Sequence, residues 1–247
     1  MTIEAIDFGR LYRDHLATTA RTRKTASAWD SRAAGMASKA LNSRYAEEFV
    51  ARMDLQGATS LLDVGCGPGT IGLAVAHQLQ CVVGLDYSSA MLGAMRAKAA
   101  EMQLANVETL HCAWEDDWSD VPECDIVVVT APLTASTVGL IGAAQLACLK
   151  PGALLVNVGR GLVVDTDALL RALDEGRLAG AALDVVDPSP LPEDHPLWEH
   201  PKVLLTCHTA KSGSNFGAAQ FETVLENVRR YVRGEPLQNI VQPDDWC

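Results

Sequence analysis

The chain has 247 residues, of which 48% are hydrophobic and 21% are charged, so it can bury a substantial core. Its formal net charge is −11 and it has no large basic patch, which argues against a nucleic-acid-binding protein. No apolar run approaches the ~18 residues of a membrane span, and the charged N-terminus lacks the apolar segment of a signal peptide. The seven cysteines form no C-x-x-C pair, which predicts reduced thiols in a cytoplasmic protein and no disulfide or metal site.

Helical and strand-like segments alternate along most of the chain. Residues 1–55 are predicted to be helical, because apolar side chains recur there on one face. The polar stretch within them contains Trp29, which either closes a ligand site or packs among the helices. Apolar strand candidates follow at 60–64, 81–86, 106–112, 125–130, 153–158, 181–186 and 202–207. Helical periodicity occupies the segments 70–79, 88–104, 135–149, 165–178 and 214–233.

This alternation predicts a Rossmann-like α/β fold, a three-layer αβα sandwich with a mainly parallel seven-stranded sheet and a helical N-terminal extension. No linker, repeat or low-complexity tract interrupts it, so we expect one domain over residues 1–247. The proline-rich stretch 187–201 is predicted to be a loop. Ligands of such sheets bind beyond the carboxyl ends of the strands, near the point where the strand order reverses.

A glycine-rich turn, LLDVGCGPGTIG, follows the first strand candidate and can be read in two frames. Gly65, Gly67 and Gly69 have the G-x-G-x-G spacing that is associated with S-adenosylmethionine. Gly67, Gly69 and Gly72 have the G-x-G-x-x-G spacing of dinucleotide sites. Asp86 ends the next strand, where a carboxylate can accept hydrogen bonds from ribose hydroxyls in either kind of site.

Residues 1–124 resemble the class I S-adenosylmethionine-dependent methyltransferases, through DVGCGPGT, DYSSAM and the acidic loop AWEDD. The resemblance implies that Asp63 lies near the ammonium of the cofactor, that Met91 packs on its adenine, and that Glu115 accepts from the adenine amino group. The implied cofactor-binding residues are Asp63, Gly65, Gly67, Gly69, Asp86, Tyr87, Met91, Trp114 and Glu115.

Residues from about 125 to 243 resemble the cofactor domain of the D-isomer-specific 2-hydroxyacid dehydrogenases, through long blocks such as DIVVVTAPLT, NVGRGLVVD and KVLLTCH. The resemblance implies that Arg160 binds the substrate carboxylate and that His208 is the general acid and base. It also implies NAD or NADP as the cofactor. The family's glutamate that supports this histidine is replaced by Ser189, which cannot stabilise an imidazolium as a carboxylate does, and Asp187 is an imperfect substitute.

The two resemblances meet near residues 118–131, within one predicted sheet, which predicts a chimera of two families, either constructed or recombined. The dehydrogenases have a separate substrate domain that has no counterpart here, so Arg160 and His208 are predicted to be vestigial. An all-parallel second half of the sheet would indicate dehydrogenase topology, whereas a methyltransferase would insert an antiparallel last strand.

The leading functional prediction is therefore a protein that binds S-adenosylmethionine or S-adenosylhomocysteine with little or no turnover. The alternatives are an NAD(P)-dependent 2-hydroxyacid dehydrogenase and an inactive folded scaffold. The expected partner is a small-molecule cofactor, with no nucleic acid, membrane or metal ion. The apolar stripe of the last helix makes a homodimer possible.

Overall fold

Strands and helices alternate in the computed structural model, which describes residues 26–40, 55, 57–113, 116–210 and 216–238. The strands are β1 (Ser60–Val64), β2 (Cys81–Asp86), β3 (Val107–His111), β4 (Ile126–Val129), β5 (Ala153–Asn157), β6 (Leu178–Leu183) and β7 (Val203–Leu205). The α-helices are α1 (Ala26–Asp30), α2 (Ala33–Ala40), α3 (Gly72–Val75), α4 (Ser89–Glu101), α5 (Ala143–Cys148), α6 (Thr166–Asp174) and α7 (Phe216–Arg233). Short 3-10 helices cover Ala76–Gln78, Gly161–Val163 and Pro196–Trp198.

The seven strands form one sheet in the order β3-β2-β1-β4-β5-β6-β7, and every neighbouring pair is parallel. The predicted α/β fold is thus confirmed. Leu62 of β1 stands opposite Val83 of β2 on one side and Val127 of β4 on the other, so β1 is central. The strand order reverses at β1, which places a ligand crevice at the carboxyl ends of β1 and β4. The parallel β7 follows dehydrogenase topology.

Apolar side chains from both faces of the sheet form two cores, because successive residues of a strand point to opposite sides. Leu61 belongs to the same core as Leu92 and Met95 of α4 on one face, whereas Leu62 belongs to the same core as Leu169 and Leu173 of α6 on the other. Helices cover both faces and produce the three-layer arrangement. This double burial explains why the strand segments are continuously apolar.

Polar contacts connect the two stretches of chain that resemble different families. Asp125, just before β4, accepts hydrogen bonds through Oδ2 from the backbone N–H of Thr59 at 2.8 Å and from the hydroxyl of Ser60 at 3.0 Å. Its Oδ1 contacts the ammonium of Lys150. These contacts join the start of β4 to the start of β1. The strands that precede residue 125 in sequence and the strands that follow it therefore form one hydrogen-bonded sheet.

Several elements are shorter than or shifted from their predicted ranges, and two of these differences have a visible cause. The strand predicted at 181–186 lies at Leu178–Leu183, because the carboxylate of Asp184 binds a later segment and ends the strand. The helix predicted over 135–149 begins only at Ala143. The preceding residues form a turn in which the Thr137 hydroxyl donates to the carbonyl of Pro132 at 2.7 Å, and such local bonds compete with a helix.

The described part of the N-terminal extension consists of α1 and α2, which pack against α4. Trp29 lies within α1, and the guanidinium of Arg32 sits 5.6 Å from the centre of its ring. The helical faces predicted in 1–25 and 41–54 lie outside the described residues. Within the described ranges, no helix combines the length and the apolar character that crossing a membrane requires.

The last helix, α7, presents apolar side chains to solvent. The predicted stripe is present, and its most exposed members are Phe221, Val224, Val228, Tyr231 and Val232. Tyr231 and Val232 are 78% and 80% exposed, respectively.

Candidate functional site

The glycine-rich turn after β1 makes a close approach to the chain that follows β4. Gly65 has φ +79°, and a Cβ atom added there would lie 2.4 Å from the Cα of Ala131. Only glycine combines that φ with that contact. Gly67 and Gly69 also have positive φ, and a Cβ added at Gly67 would meet no atom within 4 Å. The turn therefore packs on its inner side and borders open space on its outer side.

Gly72 packs helix α3 closely against the sheet. A Cβ added there would lie 3.0 Å from a methyl carbon of Val82 on β2. This is the packing role of the third glycine in the dinucleotide frame. Gly67, Gly69 and Gly72 therefore satisfy both the spacing and the helix–strand contact of a dinucleotide turn.

Asp63 is buried, and its carboxylate is bound within the protein. Its Oδ2 accepts a hydrogen bond from the N–H of Gly72 at 3.2 Å, and its Oδ1 accepts one from the hydroxyl of Thr130 at 3.0 Å. Burial raises the pKa of Asp63 to about 6, against the opposing effect of these two hydrogen bonds. Asp63 thus holds the glycine turn to the end of β4, and no solvent-facing oxygen is left for a cofactor ammonium.

Asp86, at the carboxyl end of β2, orients the turn from the other side. Its Oδ2 accepts from the N–H of Gly67 and its Oδ1 from the N–H of Ser88, both at 2.9 Å. Burial raises the pKa of Asp86, and the two amide hydrogen bonds partly oppose that rise. Each carboxylate oxygen can accept a further hydrogen bond, so Asp86 can still bind a ribose hydroxyl at its 6% exposed surface.

The remaining predicted cofactor residues lie apart from open space or outside the described chain. Met91 is 1% exposed and belongs to the interior, and Tyr87 is half-buried, with its carbonyl 3.0 Å from Nε2 of His111. Trp114 and Glu115 lie outside the described residues. The structure brings the three glycines, Asp63 and Asp86 together, but it does not direct Met91 toward a ligand.

A cavity of about 920 Å³ lies at the carboxyl ends of the strands from β4 to β7, and both Arg160 and His208 line it. This volume suits a small-molecule site. Its walls are mostly apolar, with a few polar groups among them. The other lining residues are Leu133, Gly161, Leu162, Asp184, Val185, Val186, Asp187, Ser189, Pro190, Leu191, Trp198, Leu205, Thr206 and Cys207.

A tight turn after β5 places Arg160 at this cavity. The side chain of the buried Asn157 accepts from the N–H of Gly159 and donates to the carbonyl of Arg160, each at 3.1 Å. A Cβ added at Gly161 would lie 2.0 Å from the carbonyl oxygen of Val186, so only glycine fits there. The guanidinium of Arg160 is exposed, and its Nη1 donates to the carbonyl of Gly159 at 2.8 Å, which leaves further donors for a ligand.

His208 is held at the cavity by Asp184 of the neighbouring strand end. The Asp184 carboxylate accepts from the hydroxyl of Thr206 at 2.6 Å and from the amides of Thr209 and Ala210 at 2.8 and 2.9 Å. Burial raises the pKa of Asp184, but these hydrogen bonds outweigh it, and the net shift is downward. His208 has φ +55°, a strained conformation that the flanking bonds enforce, as is common at functional sites.

The cavity also contains Ser189, the residue that the resemblance places at the family's glutamate position, and Asp187 two residues before it. Ser189 and Asp187 both line it, with Asp187 half-buried and Ser189 exposed. The sequence pattern assigned no role to Asn157 and did not predict the hydrogen bond from the Thr130 hydroxyl to Asp63. An asparagine at the end of an apolar strand, three residues before an arginine, was the signal for the first. The second depended on a contact between strands that are distant in sequence.

The turn and the cavity together fit an extended dinucleotide. Ala131 lies against Gly65, and Leu133, two residues further along the chain, lines the cavity. The glycine turn and the cavity are therefore adjacent on one edge of the sheet. The open side of the glycine turn and Asp86 suit the adenosine and pyrophosphate end. The cavity with Arg160 suits the nicotinamide end and a carboxylate substrate. Among the described residues, no cluster of three or more potential metal ligands occurs.

Three comparisons with known proteins point to the same family. The model described as D-isomer specific 2-hydroxyacid dehydrogenase, NAD binding domain, matches residues 22–210, more than half of the chain. Glyoxylate/hydroxypyruvate reductase B from Pectobacterium carotovorum is 37% identical over 177 residues, which cover 72% of this chain and 53% of the reductase. The chain spans about half the length of the curated relatives that it matches.

Solved structures of similar proteins point to the same family. A D-isomer specific 2-hydroxyacid dehydrogenase from Xanthobacter autotrophicus, in complex with NADPH and MES, is 35% identical with a TM-score of 0.58, covering 81% of this chain and 73% of that one. An NADPH-dependent glyoxylate/hydroxypyruvate reductase from Sinorhizobium meliloti, in complex with NADP and malonate, is 28% identical with a TM-score of 0.57, covering 78% and 56%.

These findings overturn the leading functional prediction. The predicted S-adenosylmethionine cofactor and methyltransferase-type function are wrong, because the NAD-binding family model includes the glycine turn, Asp63 and Asp86. The match also runs across the predicted junction at 118–131, so a chimera with a methyltransferase is not supported. The misreading arose because both families place glycines after the first strand and a carboxylate after the second. The chain belongs to the D-isomer-specific 2-hydroxyacid dehydrogenases, and it contains their NAD-binding domain.

Proposed function

We propose that this chain binds NAD(H) or NADP(H) and takes part in the interconversion of 2-oxo acids and 2-hydroxy acids, with Arg160 and His208 as its catalytic residues. The observation that carries the proposal is their placement. They follow two different strands, yet they line the same cavity. The 37% identity with a glyoxylate/hydroxypyruvate reductase supports a small 2-oxo acid as the substrate class.

Arg160 binds the substrate in this proposal. Its guanidinium presents parallel N–H donors that match the two oxygens of a carboxylate. Because Asn157 and Gly161 define the turn around it, the guanidinium reaches the cavity from a rigid base. Rigid placement orients the adjacent carbonyl carbon of a 2-oxo acid in the cavity, which favours reaction.

His208 handles the proton in this proposal. In the reducing direction its imidazolium donates a proton to the carbonyl oxygen of the substrate, and in the oxidising direction the neutral imidazole accepts the proton from the hydroxyl. The Asp184 hydrogen bonds to Thr209 and Ala210 fix the backbone beside this residue. Ser189 stands where the family has a glutamate, so this histidine loses its family partner.

The glycine turn and Asp86 hold the cofactor in this proposal. The open side of the turn at Gly67 accommodates phosphates, and the Asp86 carboxylate accepts from a ribose hydroxyl. When bound, the nicotinamide supplies or accepts the hydride. The mostly apolar walls of the cavity, Leu133 and Leu162 among them, keep water away from the reacting carbon.

The proposal also includes a cytoplasmic location, a single domain and a homodimer. The odd number of cysteines and the free thiols among the described residues favour the cytoplasm. The single continuous sheet supports one domain over 1–247. The exposed apolar stripe of α7 supports a homodimer, because contiguous exposed apolar side chains favour association.

The test is reduction of glyoxylate and hydroxypyruvate, followed by the loss of nicotinamide absorbance with NADH and with NADPH. The substitution Arg160→Ala should lower kcat/KM by roughly 100-fold or more, because it removes the charged, bidentate partner of the substrate carboxylate. Arg177→Ala is the matched control, since that exposed arginine lies at the amino end of β6 and bonds the carbonyl of Ala147. Failure of the intact, cooperatively melting chain to bind either coenzyme would contradict the proposal.

A further inference from the structure

We propose that Asp30, in the N-terminal extension, makes this chain select NAD(H) over NADP(H) by occupying the anion-binding position at the start of α4. The inference rests on the proposed function, since it concerns the choice between two coenzymes that bind the same site. NADP(H) differs from NAD(H) by a phosphate on the adenosine ribose, close to the residues that follow the second strand.

The Asp30 carboxylate lies at the beginning of α4. Its Oδ1 accepts from the hydroxyl of Ser88 at 2.6 Å and from the N–H of Ala90 at 3.1 Å. Ser88 is the N-cap residue of this 13-residue helix, and its own hydroxyl accepts from the N–H of Met91. A hydroxyl and a free amide at a helix start are the donors that a phosphate group uses. Here an internal carboxylate already holds both.

A second carboxylate stands on the other side of Ser88. The N–H of Ser88 donates to Oδ1 of Asp86 at 2.9 Å, so Asp30 and Asp86 both accept from the same residue. A phosphate placed there would meet two negative charges and lose its donors to one of them. Like charges brought together at a binding site weaken binding. A ribose hydroxyl, by contrast, donates to the Asp86 carboxylate without this penalty.

Among the described residues near Ser88, the arginines already have contacts of their own. The segment from Asp86 to Met95 contains no lysine or arginine, and Arg96 donates through Nη1 to the hydroxyl of Thr109 at 2.7 Å. Arg32, two residues after Asp30, places its guanidinium over the ring of Trp29. NADP-binding sites of this fold class usually carry an arginine for the extra phosphate.

The inference departs from what resemblance alone suggests. The Xanthobacter and Sinorhizobium proteins were solved with NADPH and with NADP, respectively. The coenzymes in those two structures describe those two proteins and not this chain. The two carboxylates around Ser88 predict the opposite preference for this chain, and one of them comes from a helix well before the glycine turn in sequence.

The test measures dissociation constants of NADH and NADPH for the full chain by titration calorimetry. The wild type should bind NADH at least tenfold more tightly than NADPH. Asp30→Asn removes the charge at nearly constant shape and should tighten NADPH binding about tenfold, with NADH changed less than twofold. Asp30→Ser is a second variant in case the first destabilises the extension. Glu101→Gln is the matched control, because it removes one charge from the opposite end of α4.

The outcomes separate the inference from the proposed function. Equal affinity of the wild type for NADH and NADPH would overturn the inference while leaving dinucleotide binding intact. An unchanged affinity ratio in both Asp30 variants, with native melting curves, would also overturn it. No binding of either coenzyme by the folded wild type would overturn the proposed function and the inference with it. ADP-ribose and its 2′-phosphate should reproduce the ratio, because they carry only the adenosine end.

Discussion

The corner formed by the glycine turn and the cavity formed by β4 to β7 use carboxylates in contrasting ways. At the corner, Asp63 is buried, and its oxygens bind the turn and the end of β4. At the cavity, Asp184 binds the backbone beside His208, so that an exposed imidazole stands at open space. Both carboxylates serve positioning, but only the second one positions a side chain that a substrate can reach.

The contrast teaches that a motif residue is available to a ligand only when its polar atoms still reach open space after its internal hydrogen bonds are made. Asp86, which is also bonded through both oxygens, remains 6% exposed, whereas Asp63 is 1% exposed. Asp63 has the residue type and the spacing of a cofactor contact, yet the Thr130 hydroxyl and the Gly72 amide occupy it. The corner should therefore respond to substitution mainly in stability, and the cavity mainly in turnover. The following predictions test that division in order of expected size.

The largest effect is expected for Gly65→Ala. The new methyl group would lie 2.4 Å from the backbone of Ala131 at φ +79°, so we expect the free energy of unfolding to fall by about 3 kcal/mol or more. Gly67→Ala is the control, since its added Cβ meets nothing within 4 Å and only its positive φ costs about 1–2 kcal/mol. Urea denaturation measures both, and equal losses would contradict the close approach.

His208→Gln should change turnover and leave the fold intact. Loss of the general acid should lower kcat for 2-oxo acid reduction by roughly 10²–10⁴-fold. NADH affinity and the melting temperature should stay near the wild-type values, because the imidazole is exposed. His200→Gln is the control, since that ring contacts Asp174 at 3.3 Å and does not line the cavity. A similar loss of kcat in both variants would argue against a direct role.

Asp63→Asn should remove a pH dependence of stability. The pKa of Asp63 rises on folding from 3.8 to about 6 because of burial, so the folded state holds this proton more tightly than the unfolded chain. Its contribution to stability is complete below pH 3.8 and is lost as the pH rises through about 6. The change amounts to at most about 3 kcal/mol.

The measurement is the difference in unfolding free energy between wild type and Asp63→Asn from pH 4 to pH 7. Relative to Asp63→Asn, the wild type should lose stability as the pH rises from 4 to about 6, and the difference should level off above that. A difference that stays constant over this range would show that Asp63 ionises normally in the folded protein.

The smallest effect is expected for Thr206→Val. It removes the hydroxyl that donates to Asp184 at 2.6 Å, which should cost about 1 kcal/mol of stability and lower kcat several-fold by loosening the backbone around His208. The amides of Thr209 and Ala210 still hold Asp184, so the fold survives. Thr206→Ser restores the donor and should restore both values. If the serine variant behaves like the valine variant, the hydroxyl does not position His208.

Most of the sheet was predictable because parallel strands buried on both faces leave an unambiguous apolar run. The strands predicted at 60–64 and 81–86 lie at Ser60–Val64 and Cys81–Asp86. The errors fall where tertiary contacts or local turn hydrogen bonds override the apolar pattern. Leu178 begins β6 earlier than its apolar run indicated, and turn hydrogen bonds at Thr137 delay the start of α5.

The sequence by itself determined the fold class, the glycine turn and the identity of Arg160 and His208, because periodicity, spacing and motif are local properties of a chain. Only the tertiary structure decided that those two residues share a cavity, that Asp63 is already bound by Thr130, and that Asp30 reaches Ser88. Each of these depends on which strand ends and helices meet at one edge of the sheet. Hydrogen bonds between residues that are distant in sequence leave no periodic trace in it.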